Sequence, residues 1–409
     1  MALATLPKRP SFLAVALWVW ALNALMLGCG RNSGFVKDAV PPGTTEQPSR
    51  NLTTPGQVVA RVPDAKGQNV YRRPTMSRVL NHVTVVRDGM HNAFTTMVYW
   101  KGAYWIAYRK GDGHMNWGGQ IAVSMSGDRT RWREAARLKL SGDNRDPRFV
   151  VTGDDKLALL FPNVPDPSQA TDEKPLIEQW IAFSNDGFNW EKPRRILGPH
   201  HHLFRVRKHE GLYYGLDCYR EGNLRRLELW TSPDLLNWTR LCQVGSDEAA
   251  LNESDIVFRP DGEAWIVSRS QSQSRHGHFS TARPPYTDWR VQSLGVRMDA
   301  PCILEHEGRV YVAGRSVPRI LGEETWPFGQ SLYIWELTRG QVTPVLRIPT
   351  GGDSTYPGFI KDPDGRLCIS YYSQHAYCFG VLPPFNAEVA ERPEFARVAD
   401  IFFAEIALP

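Results

Sequence analysis

A turn closed by tryptophan recurs along this chain, and the recurrence restricts the fold more than any other feature. Four copies are legible: Ser124-Met-Ser-Gly-Asp-Arg-Thr-Arg-Trp132, Ser184-Asn-Asp-Gly-Phe-Asn-Trp190, Ser232-Pro-Asp-Leu-Leu-Asn-Trp238 and Pro284-Pro-Tyr-Thr-Asp-Trp289. The second and third follow SxDxxxW. In such a turn the Asp and Ser oxygens accept bonds from local backbone N–H groups, and the Trp places its ring between neighbouring sheets. Asp186, Asp234, Trp190 and Trp238 are therefore read as scaffold rather than as catalytic groups. The phrase around each turn is strand, short turn, strand, variable stretch, strand, at a period of roughly fifty residues, within the range of repeat architectures.

The first two strands of several units also stand out. Phe94 to Tyr108, Asp255 to Val267 and Pro301 to Val312 each read as strand, Gly turn, strand, which is a hairpin. Units beginning near Arg148 and His202, and one from Tyr356 to Ser370, bring the count to six. Six four-stranded sheets in a ring leave little exposed edge and open a central channel where ligands bind. The expected fold class is therefore all-β, a six-bladed β-propeller. Asp400 to Leu408 is expected to close the ring, which makes residues 376–397 an insertion in the last unit.

Composition agrees with this. Of 409 residues 42% are hydrophobic, with 14 Trp, 14 Tyr and 17 Phe to fill a large core, while 34 Gly and 30 Pro imply many turns. A net charge of +5 with no Lys/Arg-rich run excludes nucleic acid as the expected partner. An acidic glycan or small carbohydrate remains compatible, because it needs only a few Arg in one cleft.

Lys8 and Arg9 precede an apolar run from Phe12 to Gly28, the layout of an export signal. Met26-Leu27-Gly28-Cys29 resembles a bacterial lipoprotein cleavage box, which makes Cys29 the lipidation site; the alternative is an uncleaved anchor. Either way the body is exported and tied to a membrane by its N-terminus, at the cell surface or in the periplasm. The expected boundaries are a signal over 1–29, a flexible tether over 30–75 and the propeller over 76–409. Cys218, Cys242, Cys302, Cys368 and Cys378 are read as small core residues, and no ligand spacing suggests a metal. His200-His-His202 does not change this, because adjacent residues on an extended strand alternate sides. No cofactor is expected, and the chain is expected to act as a monomer.

Several further motifs carry a resemblance. Tyr108-Arg-Lys-Gly-Asp-Gly-His114, Asn252-Glu-Ser254 with Arg269, and Gly351-Gly-Asp-Ser-Thr-Tyr-Pro-Gly358 with Ser370-Tyr-Tyr-Ser373 join the Trp-closed turns. Together they resemble the sialidase-like propeller proteins of environmental bacteria, of the exo-alpha-sialidase superfamily with Asp-box repeats, over about residues 80 to 409. The resemblance implies an exo-acting glycosidase with a Tyr nucleophile, because the sugar's anomeric carbon itself bears a carboxylate. A carboxylate nucleophile about 4 Å away would be opposed by roughly 4 kcal/mol at an effective dielectric near 20. A phenol is neutral until a neighbouring base takes its proton.

Matched to this pattern, Tyr356 is the nucleophile, Glu253 its base and Asp112 the acid/base, with His114 beside it. Arg269 and Arg315 correspond to carboxylate-binding arginines. A plainer reading makes Tyr356 a strand-end aromatic, the two Arg interblade ion pairs, and Asp112 with His114 a turn. The family's Arg-Ile-Pro is replaced by His91-Asn-Ala-Phe94, so one gripping arginine is absent; Arg109, Arg145, Arg148 or Arg205 can enter the channel from other blades. Lys110, Gln271 and Ala376 stand where the subgroup leads one to expect Glu. Two rivals remain: a propeller that binds carbohydrate without cleaving it, and a five-bladed glycosidase that uses carboxylates.

Overall fold

Each hairpin read from the sequence is the inner half of a four-stranded antiparallel sheet, and six such sheets form the propeller. The computed structural model describes residues 60–63, 69–72, 77–114, 117–166, 177–316, 330–378 and 398–409. The segment read as an export signal, Cys29 and most of the expected insertion lie outside them. Two short strands, Ala60–Pro63 and Asn69–Arg72, pair within the segment read as a tether.

Blades are numbered here from the chain's first hairpin. Blade 1 runs inner to outer through His91–Trp100, Ala103–Gly111, Gln120–Ser126 and Arg133–Leu138. Blade 2 has an interrupted inner strand, Asp143–Asn144 then Arg148–Val151, followed by Leu157–Val164, Glu178–Ser184 and Arg194–Pro199. Blades 3, 4 and 5 begin with Leu203–His209, Leu251–Phe258 and Asp299–His306. Blade 6 is composite: Ser354–Lys361, Leu367–Ser373 and Asp400–Ala407 are joined by Arg78–Val86, the propeller's first strand, as its outermost member. The sequence reading gave closure to the C-terminal strand alone. In fact that strand is third, and the N-terminal strand seals the ring outside it. Its alternation of exposed and half-buried residues suits an outer strand covered on one side only.

The four Trp-closed turns share one geometry. In each, the indole Nε1 donates to the carbonyl three residues earlier, at Arg129, Gly187, Leu235 and Tyr286, over 2.9 to 3.2 Å. Those four residues have φ of 67, 78, 68 and 63°. Ser184 and Asp186 oxygens accept the amides of Gly187, Phe188 and Asn189, as Ser232 and Asp234 do for their own turn. The Asn189 amide is the main cause holding the Asp186 carboxyl down, to about 2. The left-handed position has different neighbours in different blades. Leu235 and Tyr286 are buried there, but at Gly187 the ring of Trp105 from blade 1 takes the space, and a Cβ would fall 2.3 Å from it.

Cores lie between adjacent blades; Trp105, Leu159 and Ala182 belong to one such cluster, joining blades 1 and 2. Polar clasps tie the inner strands. Asp255 of blade 4, fully buried, accepts two bonds from Arg207 of blade 3 and the Ile303 amide of blade 5. Cys218, Cys302 and Cys368 are buried free thiols and Cys242 is a half-buried one. Among the described residues no helix is long and apolar enough to cross a membrane.

Gly187→Ala adds a methyl against the Trp105 ring at a positive φ and is expected to destabilise by about 1–3 kcal/mol, read as a lower midpoint in denaturant. Arg207→Ala leaves Asp255 buried without its cation. The expected loss is about 3 kcal/mol, the low end of the range for a broken buried pair because Arg207 keeps an open edge.

Candidate active site

The inner strand of every blade loses register with its neighbour at the same level. The residues skipped are Phe94 and Thr95 in blade 1, Phe204 in blade 3, Asn252 and Glu253 in blade 4, Ala300 and Pro301 in blade 5, and Tyr356 and Pro357 in blade 6. In blade 2 the gap between the two inner pieces holds Arg145, Asp146 and Pro147. Phe94, Asp146, Ala300 and Tyr356 take φ of 60, 38, 51 and 44°. A bulge re-aims its residue out of the pleat, and six at one level bring their residues together around the axis.

Tyr356 lies at this meeting point, 8% exposed. Its hydroxyl donates to Glu253 Oε1 at 2.6 Å, and its carbonyl accepts from Thr95 Oγ1 at 2.7 Å. The ring packs edge-on against Phe94 at 4.9 Å, with Phe204 and Tyr372 about it. Two residues on, Gly358 passes so close to blade 1 that a Cβ would stand 2.4 Å from the Met97 amide nitrogen, which only glycine permits.

Glu253 holds three partners: the phenol, Arg269 Nη1 at 2.7 Å and the Ala300 amide at 3.1 Å. Arg269 and Arg315 both pair with Asp299, at 3.3 and 3.2 Å, and Arg297 pairs with it at 2.6 Å. Burial opposes the charge on Asp299, yet Arg315 and Arg269 hold its carboxyl below the usual range. Burial likewise opposes the charge on Arg269, but Glu253 raises its guanidinium pKa above the ordinary value. The Arg315 guanidinium lies 6.0 Å from the Tyr356 ring centre.

The structure thus brings Tyr356, Glu253, Arg269 and Arg315 into one connected set. Asp112 is exposed on the loop after the second strand of blade 1. His114, on the same loop, reaches inward and bonds Asp353. The other arginines are placed differently. Arg109 is buried against Asp143 at 2.7 Å and the Gly113 carbonyl. Arg148 donates to the Phe204 and Pro147 carbonyls under the Phe204 ring, and burial lowers its guanidinium to about 10. Arg205 donates to the Pro357 carbonyl of blade 6. These three bind blade to blade. Arg145 lies over the Phe94 ring at 4.8 Å, bonded to Asp143 and the His114 carbonyl, so it borders the tyrosine.

Asp353, His91, Asp146 and Asp299 were not singled out by the sequence reading. Asp353 accepts from Tyr372 at 2.7 Å and from His91 at 3.1 Å as well as from His114. A sequence signal for the bulges was present: Asp146-Pro147, Ala300-Pro301 and Tyr356-Pro357 put a proline, which has no ladder N–H, at the same level of three blades. Lys110, where Glu was expected, pairs with Asp88 at 2.5 Å and Glu134 at 3.5 Å. His200, His201 and His202 diverge: the first bonds the Arg220 carbonyl, the second Asp217, and the third packs on Phe204.

The chain matches no family model and no curated protein sequence. Among solved structures it is similar to a protein of unknown function from Dyadobacter fermentans, at 17% identity and a TM-score of 0.65, over 81% of this chain and 99% of that one. It is also similar to the Trypanosoma rangeli sialidase in complex with the inhibitor DANA, at 14% identity and a TM-score of 0.51, over 85% of this chain and 58% of that one. The phage phi92 endosialidase gives 12% identity and 0.51, over 84% and 71%. The chain therefore spans little more than half the length of the trypanosomal enzyme. These likenesses establish a sialidase-like propeller fold.

Burial first, then the charges of Glu253 and Asp353, push the Tyr356 and Tyr372 phenols well above the usual value. A folded pKa above the unfolded value of about 10 means that the contribution to stability is whole below pH 10 and lost as pH rises through the folded values. In a near-ultraviolet titration these two tyrosines are expected to ionise only with unfolding. Ionisation of all 14 tyrosines near pH 10 with the fold intact would contradict this.

Proposed function

We propose that this protein is an exported glycoside hydrolase that removes a terminal sugar, an acidic one, from a glycan, with Tyr356 as nucleophile. The observation that carries the reading is the 2.6 Å bond from the Tyr356 hydroxyl to Glu253 where six inner-strand bulges meet. In the first step Glu253 takes the phenolic proton as Tyr356 Oη bonds the anomeric carbon and the glycosidic C–O bond breaks. Asp112, on the exposed loop of blade 1, is the carboxyl assigned to protonate the leaving oxygen. It then removes a proton from the water that cleaves the tyrosyl–sugar bond, and Glu253 returns the first proton to the phenolate. Arg269 keeps Glu253 oriented, and Arg269, Arg315 and Arg145 supply cations for the sugar's carboxylate.

Attachment through the N-terminus places this activity outside the cytoplasm, where glycans are met. The second reading, binding without cleavage, is favoured by one observation: Arg269 and Arg315 already share Asp299, so their positive charge is largely balanced before any ligand arrives.

Hydrolysis of a panel of aryl sialosides, aryl uronides and neutral aryl glycosides separates the two. Turnover is expected on an acidic substrate, abolished by Tyr356→Phe and lowered about 10²–10⁴-fold in kcat by Glu253→Gln, with circular dichroism unchanged. Activity untouched by Tyr356→Phe would remove the mechanism, and glycan binding without turnover would support the binder.

A further inference from the structure

We propose that His91, His114 and Asp353 form a binding site for one divalent transition-metal ion of the zinc class beside the Tyr356 cluster. One ligand atom from each residue lies within 4.8 Å of the other two, and His91 Nε2 and His114 Nδ1 are the atoms that face Asp353. Both imidazoles address the same oxygen, Oδ2. Two imidazoles and one carboxylate are a donor set that suits zinc and its neighbours, with at least one position left open for water or substrate. At bond lengths of about 2.0–2.2 Å, donors on one tetrahedral ion stand roughly 3.4 Å apart. His91 Nε2 is already 3.1 Å from Oδ2. His114 is closer and has to retreat, and it is the member free to do so: its side chain is 47% exposed, on a loop that contains Gly113.

The carboxylate of the site is held as metal ligands commonly are. Asp353 Oδ1 accepts the Tyr372 hydroxyl at 2.7 Å and stands 3.9 Å from Arg315 Nη1, which sets the carboxylate plane and leaves Oδ2 to the imidazoles. His91 is fully buried at the start of the inner strand of blade 1, and the Phe94 and Tyr372 rings flank the imidazoles. The three donors come from separate places: that strand, the loop after its hairpin partner, and the turn before Tyr356. Sequence spacing therefore carries no trace of the site.

The place of the site gives it a use. His91 begins the stretch that stands where the resembled family has its first gripping arginine. A divalent ion on two neutral imidazoles and one carboxylate carries a net charge of +1, so it supplies beside Arg315 the cation that the substitution removed. Its open position would take a carboxylate or hydroxyl oxygen of the sugar. This last clause rests on the glycosidase reading; the binding of the ion does not.

The test uses the full chain without a polyhistidine tag, stripped with a chelator and titrated calorimetrically with Zn²⁺ and spectroscopically with Co²⁺. One equivalent of each is expected, with visible Co²⁺ bands of low coordination number. His114→Ala, an exposed change that spares the fold, and Asp353→Asn should weaken binding by at least about 10-fold, the loss that removing even an outer partner of a ligand causes. Tyr356→Phe and His201→Ala should leave it unchanged. Failure to bind one equivalent, or binding of equal strength in His114→Ala, would show that the three side chains are clasped by hydrogen bonds alone and overturn the proposal. Binding without hydrolysis of any substrate leaves the metal site standing and removes the glycosidase, whereas full hydrolysis by stripped protein that binds no ion does the reverse.

Discussion

Everything at the centre of this molecule follows from the break in register that the six inner strands make at one level. A paired strand sends alternate side chains to opposite faces of its sheet, into the interblade cores, and none along the axis. A bulge frees one or two residues from that rule. Here the freed residues include a phenol, two carboxylates, a guanidinium and two phenyl rings, drawn from five of the six blades. The backbone cost is visible in the left-handed conformations of Phe94, Asp146, Ala300 and Tyr356. Clasps such as Thr95 to the Tyr356 carbonyl and Arg205 to the Pro357 carbonyl hold the irregular segments in place.

The second consequence is electrostatic. Little water reaches these groups, so a charge at the axis must be met by protein. Asp299 does this for three arginines at once, while Glu253 receives Arg269, the Ala300 amide and the phenol. The resulting lattice orients its members before any ligand arrives, which is the condition under which a positioned base is effective. It also keeps Tyr356 protonated in the resting protein, because burial and the Glu253 charge both disfavour a phenolate.

Much of the architecture was legible because its signals are local. The Trp-closed turns and Gly-turn hairpins are stretches of about fifteen residues or fewer whose side chains bond their own backbone, and such patterns survive in a single sequence. The closing strand was not legible. Arg78–Val86 pairs with Asp400–Ala407, the far end of the chain, and its half-exposed alternation looks like that of any outer strand. At the site, the phenol, Glu253 and two arginines were reached through a resemblance, not through spacing. The remaining arginines show why composition was not enough. Arg109, Arg148 and Arg205 look as fit for a ligand as Arg269, yet a guanidinium near the axis can turn to another blade, and these three do. Asp353 and His91 were missed for the opposite reason: each becomes significant only through the other.

The position of the tyrosine at the seam between the last blade and the first links the site to ring closure. Blade 6 is built from both ends of the propeller, and its inner strand presses on blade 1 at Gly358 and Met97 with no room for a methyl group. Thr95 and Phe94, from blade 1, hold the backbone and ring of Tyr356 from blade 6. The geometry of Tyr356 is therefore defined only when the N-terminal strand has sealed the last sheet and the two blades meet. An open or partly closed ring would keep most of its interblade cores and still lack a phenol aimed at Glu253. Closure is the step that assembles the site, and for that reason the residues of the seam carry stability and function together.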